Sequence, residues 1–441
     1  LLILFLLSPL FAQQWQTTAR RDVFAFSHVT LIDATGAPAR RDMTVVVVGT
    51  RIAAIGKSGR VRIPEGARVV DATGKFLIPG LWDMHVHIGD GAFDRDSYLP
   101  LFVANGVTGV RVMTGAPEHH LWRSSVESGA LLGPRMVIAS GRIDEAKTGE
   151  AQAREAARRA KREGADFFKV YDDLPRASYF ALVDEARRLS LPVEGHVPRS
   201  VTALEVSAAG QRSVEHFTGL DEAKFDRAKA GAVIAAFKKN GTWLCPTLIM
   251  RHNYAMLDDR SLAADTRLRY AKPSWREGWL RMSNDSAKTP AAEWAKRREL
   301  IRKEDALVGE MRHAGVGILA GTDDSNPYVI PGFSLHDELA LLVAAGLTPM
   351  QALQAATLNP AKFFGRLDTL GTVETGKLAD LVLLDADPLA DIRNTTRINA
   401  VVVNGRLLDR KDLDGILRPR SVVILDGEPP VISSDHLNKP D

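Results

Sequence analysis

Phe76-Leu-Ile-Pro-Gly-Leu-Trp-Asp-Met-His-Val-His87 is an apolar run that ends in two histidines separated by a single residue. Read as a strand, it sends successive side chains to opposite faces, so His85 and His87 share one face and Met84 and Val86 the other. Two imidazoles side by side at the end of a buried strand form a ready pair of metal ligands. A chance pair on a surface strand has the same spacing, so the rest of the chain must decide between them.

Outward from that stretch, the middle of the chain alternates short apolar runs with amphipathic helical stretches. The runs lie at 77–87, 107–113, 135–141, 165–171, 192–197, 213–217, 243–248 and 316–323, and helical periodicity follows at 154–163, 177–189, 223–239 and 335–345. Eight strand candidates, most feeding a helical crossover, match the count of a closed (β/α)8 TIM-like barrel. An open doubly wound sheet would want a Gly-rich phosphate turn after its first strand, and HIGDGAFDR at 87–95 is a poor match. The two flanks, 22–77 and 369–425, carry short β-runs ended by Gly-containing turns, which predicts one small β-sandwich built from both chain ends. The barrel then occupies 78–368. Inside it, 251–310 is a long, charged, mainly helical excursion bearing Tyr254, Trp275, Trp279 and Trp294. It is either a lid or an insertion that its tryptophans pack down.

Hydrophobic content of 45% and charged content of 25% are those of a globular protein. The formal charge of +3 is spread out, and the basic run at 154–162 alternates with alanines at helical spacing, as a solvated helix face does. No stripe suited to nucleic acid is present. Residues 1–12 form an apolar run shorter than the ~20 residues a span needs, so no stable membrane span is expected there. With Ala12 followed by two glutamines, the run resembles the end of a secretory signal, although no basic segment precedes it and Leu10 is not small. A periplasmic or secreted protein is the expectation. Cys245 is the single cysteine, so no intrachain disulfide forms. Residues 426–441 read as a polar tail.

Chemistry in such a barrel sits at the carboxyl ends of the strands. Those ends carry His85 and His87 on the first strand, Lys169 on the fourth, His196 on the fifth, His216 on the sixth and Asp323 on the eighth. Singly, each has a duller explanation. Lys169 could be a snorkelling surface lysine, His196 and His216 hydrogen-bonded core histidines, and Asp323 a helix N-cap. Yet Lys169 stands in an apolar run with Phe167 and Phe168, where an ammonium needs compensation. Six such residues at one rim point to one site. Asp324 points the other way and reads as structural. Tyr171 should share the Lys169 face and could reach the pocket, and Arg199 could grip a carboxylate in bidentate fashion. A packed Tyr and a solvated Arg remain equally open.

The run from Pro79 to His87, with Lys169, His196, His216, Asp323 and GKLADLVLLD at 376–385, resembles the amidohydrolase superfamily. Within it, the chain is similar to the imidazolonepropionase-like amidohydrolases that include Xaa-Pro dipeptidases. The resemblance covers nearly everything after the apolar leader. It implies a distorted barrel with a β-sandwich from both ends, and a hydrolase acting on carbon–nitrogen bonds with two divalent metal ions of zinc type. By the same resemblance, Lys169 carries a CO2-derived carbamate that bridges the ions. His85, His87 and Asp323 then hold one ion, His196 and His216 the other, and Asp323 moves the catalytic proton. A carbamate also replaces a buried cation with an anion between cations, which answers the burial problem of Lys169. The implied substrate is a small amide, a dipeptide or an N-acyl amino acid. Here the chain departs from its relatives, because Pro198 stands where dipeptidases commonly carry a carboxylate-binding Tyr. A mononuclear deaminase or cyclic-amide hydrolase is the alternative chemistry, but it needs no bridging lysine. A non-catalytic binding scaffold predicts lost ligands, and all six are present. Metal identity, side-chain preference and oligomeric state stay open.

Overall fold

The computed structural model describes residues 23–418 except 222, 223 and 225. The apolar leader at 1–12 and the polar tail at 426–441 lie outside the described residues. Both chain flanks enter one eight-stranded sheet. Its strands are β1 (Val23–Leu31), β2 (Arg40–Val48), β3 (Arg51–Lys57), β4 (Arg68–Asp71), β5 (Phe76–Pro79), β13 (Leu381–Leu384), β14 (Ile398–Val403) and β15 (Arg406–Leu408). The order is β15-β14-β13-β5-β1-β2-β3, with β4 paired to β1. Alternation of Phe24, Phe26, Val45, Val47, Leu381 and Leu383 buries one face of this sheet in a core of its own.

The opening stretch therefore splits in two. Residues 76–79 pair with β1 and β13 in the flank sheet, whereas β6 (Leu81–Val86) turns into the inner sheet. The break falls at Gly80, whose N–H donates to Asp380 O at 2.7 Å. A Cβ at 80 would stand 2.1 Å from Thr108 Oγ1, so only glycine lets the chain change sheets here.

The middle forms a TIM-barrel-like α/β arrangement from two parallel sheets. One is β6-β7-β8, with β7 at Val107–Val112 and β8 at Arg135–Ile138. The other is β9-β10-β11-β12, at Phe168–Val170, Val193–Gly195, Ser213–Glu215 and Trp243–Cys245. A parallel bridge between Ala139 and Phe167 joins them. The eighth expected strand, 316–323, is not a strand: it makes a single bridge, Leu244 to Ile318. Its backbone bonds one residue at a time instead, to Leu244 on one side and from Met84 N to Ala320 O at 2.9 Å on the other. Glycine explains the irregularity. A Cβ at Gly317 would enter the Trp243 ring, and one at Gly321 would lie 2.6 Å from Cys245 Sγ and 2.8 Å from His85 Cβ. The segment thus presses closer to its neighbours than a side-chain-bearing strand can.

Helices cover the inner sheets: Glu150–Arg162 turns Ala153, Ala156, Ala157 and Ala160 inward and its basic residues outward. The excursion after β12 folds as Leu248–Ala255, Pro273–Ser286 and Ala291–Ala314. Trp275, Trp279 and Trp294 are buried, with Trp275 stacked on Tyr98 and Trp279 beside Tyr328. Among the described residues no helix is long and apolar enough to cross a membrane.

Candidate metal centre

The strand ends bring their polar side chains to one point. His85 lies in β6 and His87 just beyond it, Lys169 is central in β9, and His196 and His216 each follow the last residue of β10 and β11. Asp323 comes from the irregular 316–323 segment, anchored by its N–H to His85 O at 2.7 Å. Asp323 Oδ1 stands 3.1 Å from His87 Nε2 and 3.4 Å from His85 Nε2, while Oδ2 is 3.6 Å from His216 Nε2. The His85 and His87 Nε2 atoms are 3.3 Å apart. The rings of His196 and His216 are 5.1 Å apart, and Tyr171 connects that side to Lys169, whose Nζ lies 4.7 Å from the Tyr171 ring centre. All six sequence-predicted ligands therefore belong to one connected cluster, buried except for His87 at 23% exposure.

The opposite nitrogen of each imidazole is tied to an outer partner. His85 Nδ1 donates to Glu215 Oε2 at 2.9 Å and His196 Nδ1 to Asp172 Oδ1 at 2.7 Å, since carboxylates only accept. His216 Nδ1 meets Thr247 Oγ1 at 2.5 Å, and that hydroxyl already donates to Pro246 O, so it accepts from the ring. His87 Nδ1 is 3.3 Å from Thr114 Oγ1. Protons fixed on Nδ1 leave Nε2 lone pairs aimed inward, the tautomer a metal requires. Burial also pushes the His85 imidazole well below its usual range, with Lys169 adding to the effect and Asp323 opposing it, so the ring is neutral.

Beneath His85 lies a buried ionic hub. Arg111 from β7 donates from Nη2 to both Glu215 oxygens at 2.9 and 2.8 Å, and from Nη1 to Glu194 Oε2 at 2.7 Å and Ser213 Oγ at 3.0 Å. Its Nε donates to Met84 O at 2.6 Å. His85, Glu215 and Cys245 also bring donor atoms together, but Arg111 engages both Glu215 oxygens, and burial holds the Cys245 thiol up and protonated. The cluster of His85, His216 and Asp323 is the better cation site.

Lys169 is the odd member. Its Nζ is buried and has no hydrogen-bond partner among the described residues. Gly195 makes room for it: a Cβ there would be 2.9 Å from Lys169 Cδ and 2.2 Å from Val170 O. Backbone strain gathers at the same place, with non-glycine residues in the left-handed region at His216 (φ 57°), Thr247 (φ 49°) and Asp323 (φ 56°). Such conformations cost about 1–3 kcal/mol each and cluster at functional sites.

Tyr171 stands beside Lys169 and His196, its hydroxyl 2.6 Å from Thr114 Oγ1 and donating to Met113 O at 3.3 Å. Arg199 behaves otherwise: it is 64% exposed, pairs with Asp173 and lies 3.7 Å from Asp172 Oδ2, so two aspartates occupy the fork expected to hold a substrate carboxylate. Asp324 accepts from His87 N, and Asp83 accepts from His85 N, Thr322 N and Thr322 Oγ1, clamping the first strand to the last segment. Burial raises the Asp83 carboxyl to about 7. Sequence reasoning missed Asp83, Arg111, Asp172, Glu194 and Glu215. Asp83 had a visible signal, since it shares strand parity with His85 and His87.

A model described as the amidohydrolase family matches residues 76–408. The chain is 24% identical to adenine deaminase 2 of Rhizobium etli over 411 residues, covering 90% of this chain and 59% of that protein. It is 23% identical to ochratoxinase of Aspergillus niger over 385 residues, 72% of each chain. It spans only 51–59% of the length of three adenine deaminases that it matches. Among solved structures, a putative prolidase from Bifidobacterium longum superposes with a TM-score of 0.72 at 24% identity, covering 90% of this chain and 98% of that one. A bottromycin amidohydrolase gives 0.73 at 26% identity, covering 90% and 89%.

Proposed function

The chain belongs to the amidohydrolase family, and from that premise we propose a binuclear metal hydrolase that cleaves the amide bond of dipeptides or N-acyl amino acids. The observation that carries the reading is the buried Lys169 amine, without a hydrogen-bond partner, in a cluster of inward-facing imidazoles. A buried ammonium with nothing to bond is costly. A carbamate formed when that amine adds CO2 and loses a proton turns the same atom into the root of an anionic oxygen ligand. The donor set fits the group: His85, His87 and Asp323 would hold one ion and His196 and His216 the other, with carboxylated Lys169 between them. When bound, such ions act as Lewis acids on a carbonyl and lower the pKa of water.

The chain's own residues supply the remainder. Asp323, held in place by His85 O, takes a proton from the attacking water at Oδ and passes it to the departing nitrogen. Glu215, Asp172 and Thr247 hold three imidazoles in one tautomer and orientation, so no reorganisation is needed as charge develops. Buried walls keep bulk water from the carboxylates. In this reading residues 316–323 stand as the eighth stave of a closed barrel, and the flank sheet folds over as the β-sandwich.

The adenine deaminase relatives favour a second reading, removal of an exocyclic amine from a nucleobase. A panel of dipeptides, N-acyl amino acids and adenine, assayed with zinc-loaded and chelator-stripped protein, tests both. Metal-dependent turnover of amides supports the first reading. Turnover of adenine alone replaces it with the second, and equal rates after stripping contradict both.

A further inference from the structure

Beside His216 the structure opens a cavity of about 320 Å3. Its lining draws on both the candidate centre and the helical excursion: His216 and Asp172 from the first and Arg251 from the second, together with Lys224, Val197 and Phe217. The Lys224 side chain is 2% exposed and donates to Glu304 Oε1 at 3.0 Å, while Glu304 itself is fully buried. Arg251 donates from Nη2 and Nε to the two oxygens of the same Glu304, at 2.7 and 3.0 Å. Asp221, the other carboxylate on Lys224, is 76% exposed and screened by water. Arg251 is less enclosed, its side chain 22% exposed, and Asp172, at 15%, lines the same cavity.

Glu304 holds the Arg251 guanidinium that lines the cavity, Nη1 plays no part in that pairing, and a guanidinium can serve two carboxylates from different edges, so Arg251 can take a second. Arg199 on the rim cannot, with Asp173 and Asp172 already around it. We infer that this cavity is a carboxylate subsite, in which Arg251, backed by Lys224, binds the free carboxylate of the substrate next to the bond being cut. The inference rests on the amide-hydrolase reading and assigns the residues that would hold the amino-acid half of such a substrate. The size agrees: a sphere of that volume is about 8–9 Å across, room for roughly one amino acid between the centre and the guanidinium. It also gives the excursion a task, since Arg251 and Glu304 both belong to it. Val197 and Phe217 favour an apolar side chain.

Calorimetric titration of the zinc-loaded protein with N-acetyl-L-leucine and with N-acetyl-L-leucinamide tests this, the two probes differing only in the carboxylate. Wild-type protein should bind the acid ~10-fold or more tighter than the amide, the worth of one charge-assisted hydrogen-bond pair. Arg251→Met should bring that ratio close to one, and Lys224→Met should lower it by less. Thermal unfolding identifies a variant that has lost its fold, and Arg251→Lys then serves in its place, with an intermediate ratio expected. Equal binding of acid and amide by wild-type protein, or a ratio unchanged in Arg251→Met, overturns the subsite. Discrimination without turnover of any amide would leave the subsite standing and remove the reaction. Amide turnover without discrimination would do the reverse.

Discussion

Replacing Arg111 with Met should be among the most damaging single changes outside the ligand set. Methionine keeps much of the volume and removes the charge and every donor. Five hydrogen bonds between 2.6 and 3.0 Å disappear, to Met84 O, Glu194, Ser213 and both oxygens of Glu215. The larger effect is what stays behind: Glu215 without its arginine, and Glu194 with only Arg212, 3.7 Å away. Breaking a buried ion pair from one side costs about 3–5 kcal/mol. The loss should depend on pH. Stranded carboxylates have folded pKa values above their unfolded ones, so the folded state keeps protons that the unfolded chain releases. Stability of the variant should therefore fall further as pH rises above ~4.3. Urea unfolding of wild type, Arg111→Met and the triple variant with Glu194→Gln and Glu215→Gln checks this. The triple variant should recover a large part of the loss, because it removes the stranded charges. A loss under about 1 kcal/mol in the single variant, or a triple variant less stable than the single, would refute the claim that the hub is held by charge.

Three further outcomes follow from the geometry. His336 is buried between Asn105 O at 3.1 Å and Thr395 Oγ1 at 3.0 Å, and burial lowers its imidazole to about 4. The unfolded chain takes up that proton first, near 6.5, so stability should decline by roughly 3 kcal/mol between pH 6.5 and 4, a slope that denaturation of His336→Gln should lack. Gly321→Ala puts a Cβ against Cys245 Sγ and His85 Cβ, so it should cost about 1–3 kcal/mol and weaken zinc binding, while Gly415→Ala, with open space around it, should do neither. Asp323→Asn should keep the fold, by circular dichroism and thermal unfolding, and lower kcat by ~100- to 10,000-fold.

The site was largely legible because its signal is a matter of place along each strand. Histidines two apart and a lysine inside Phe167–Tyr171 stand out wherever apolar runs are counted. The hub was not legible, because Arg111, Glu194, Ser213 and Glu215 look like the outward half of alternating strands. Only the packing of the two inner sheets turns those positions toward each other. The run 316–323 misled for the opposite reason: its composition suits a strand, but Gly317 and Gly321 let it approach β12 and β6 too closely for a regular ladder. Gly80 had a comparable effect, dividing one apolar run between two sheets. Arg199 stands out in the sequence by its position after the fifth strand, and only tertiary contact reveals Asp172 and Asp173 around it.

Metal content measured together with the state of Lys169 tests the central claim most directly. Protein loaded with zinc in the presence of 13C-bicarbonate should hold two ions per chain and show a lysine carbamate carbon by NMR. Lys169→Ala should lose that signal and at least one ion. Two tightly held ions in Lys169→Ala, or a loaded wild-type protein with no carbamate signal, would contradict it.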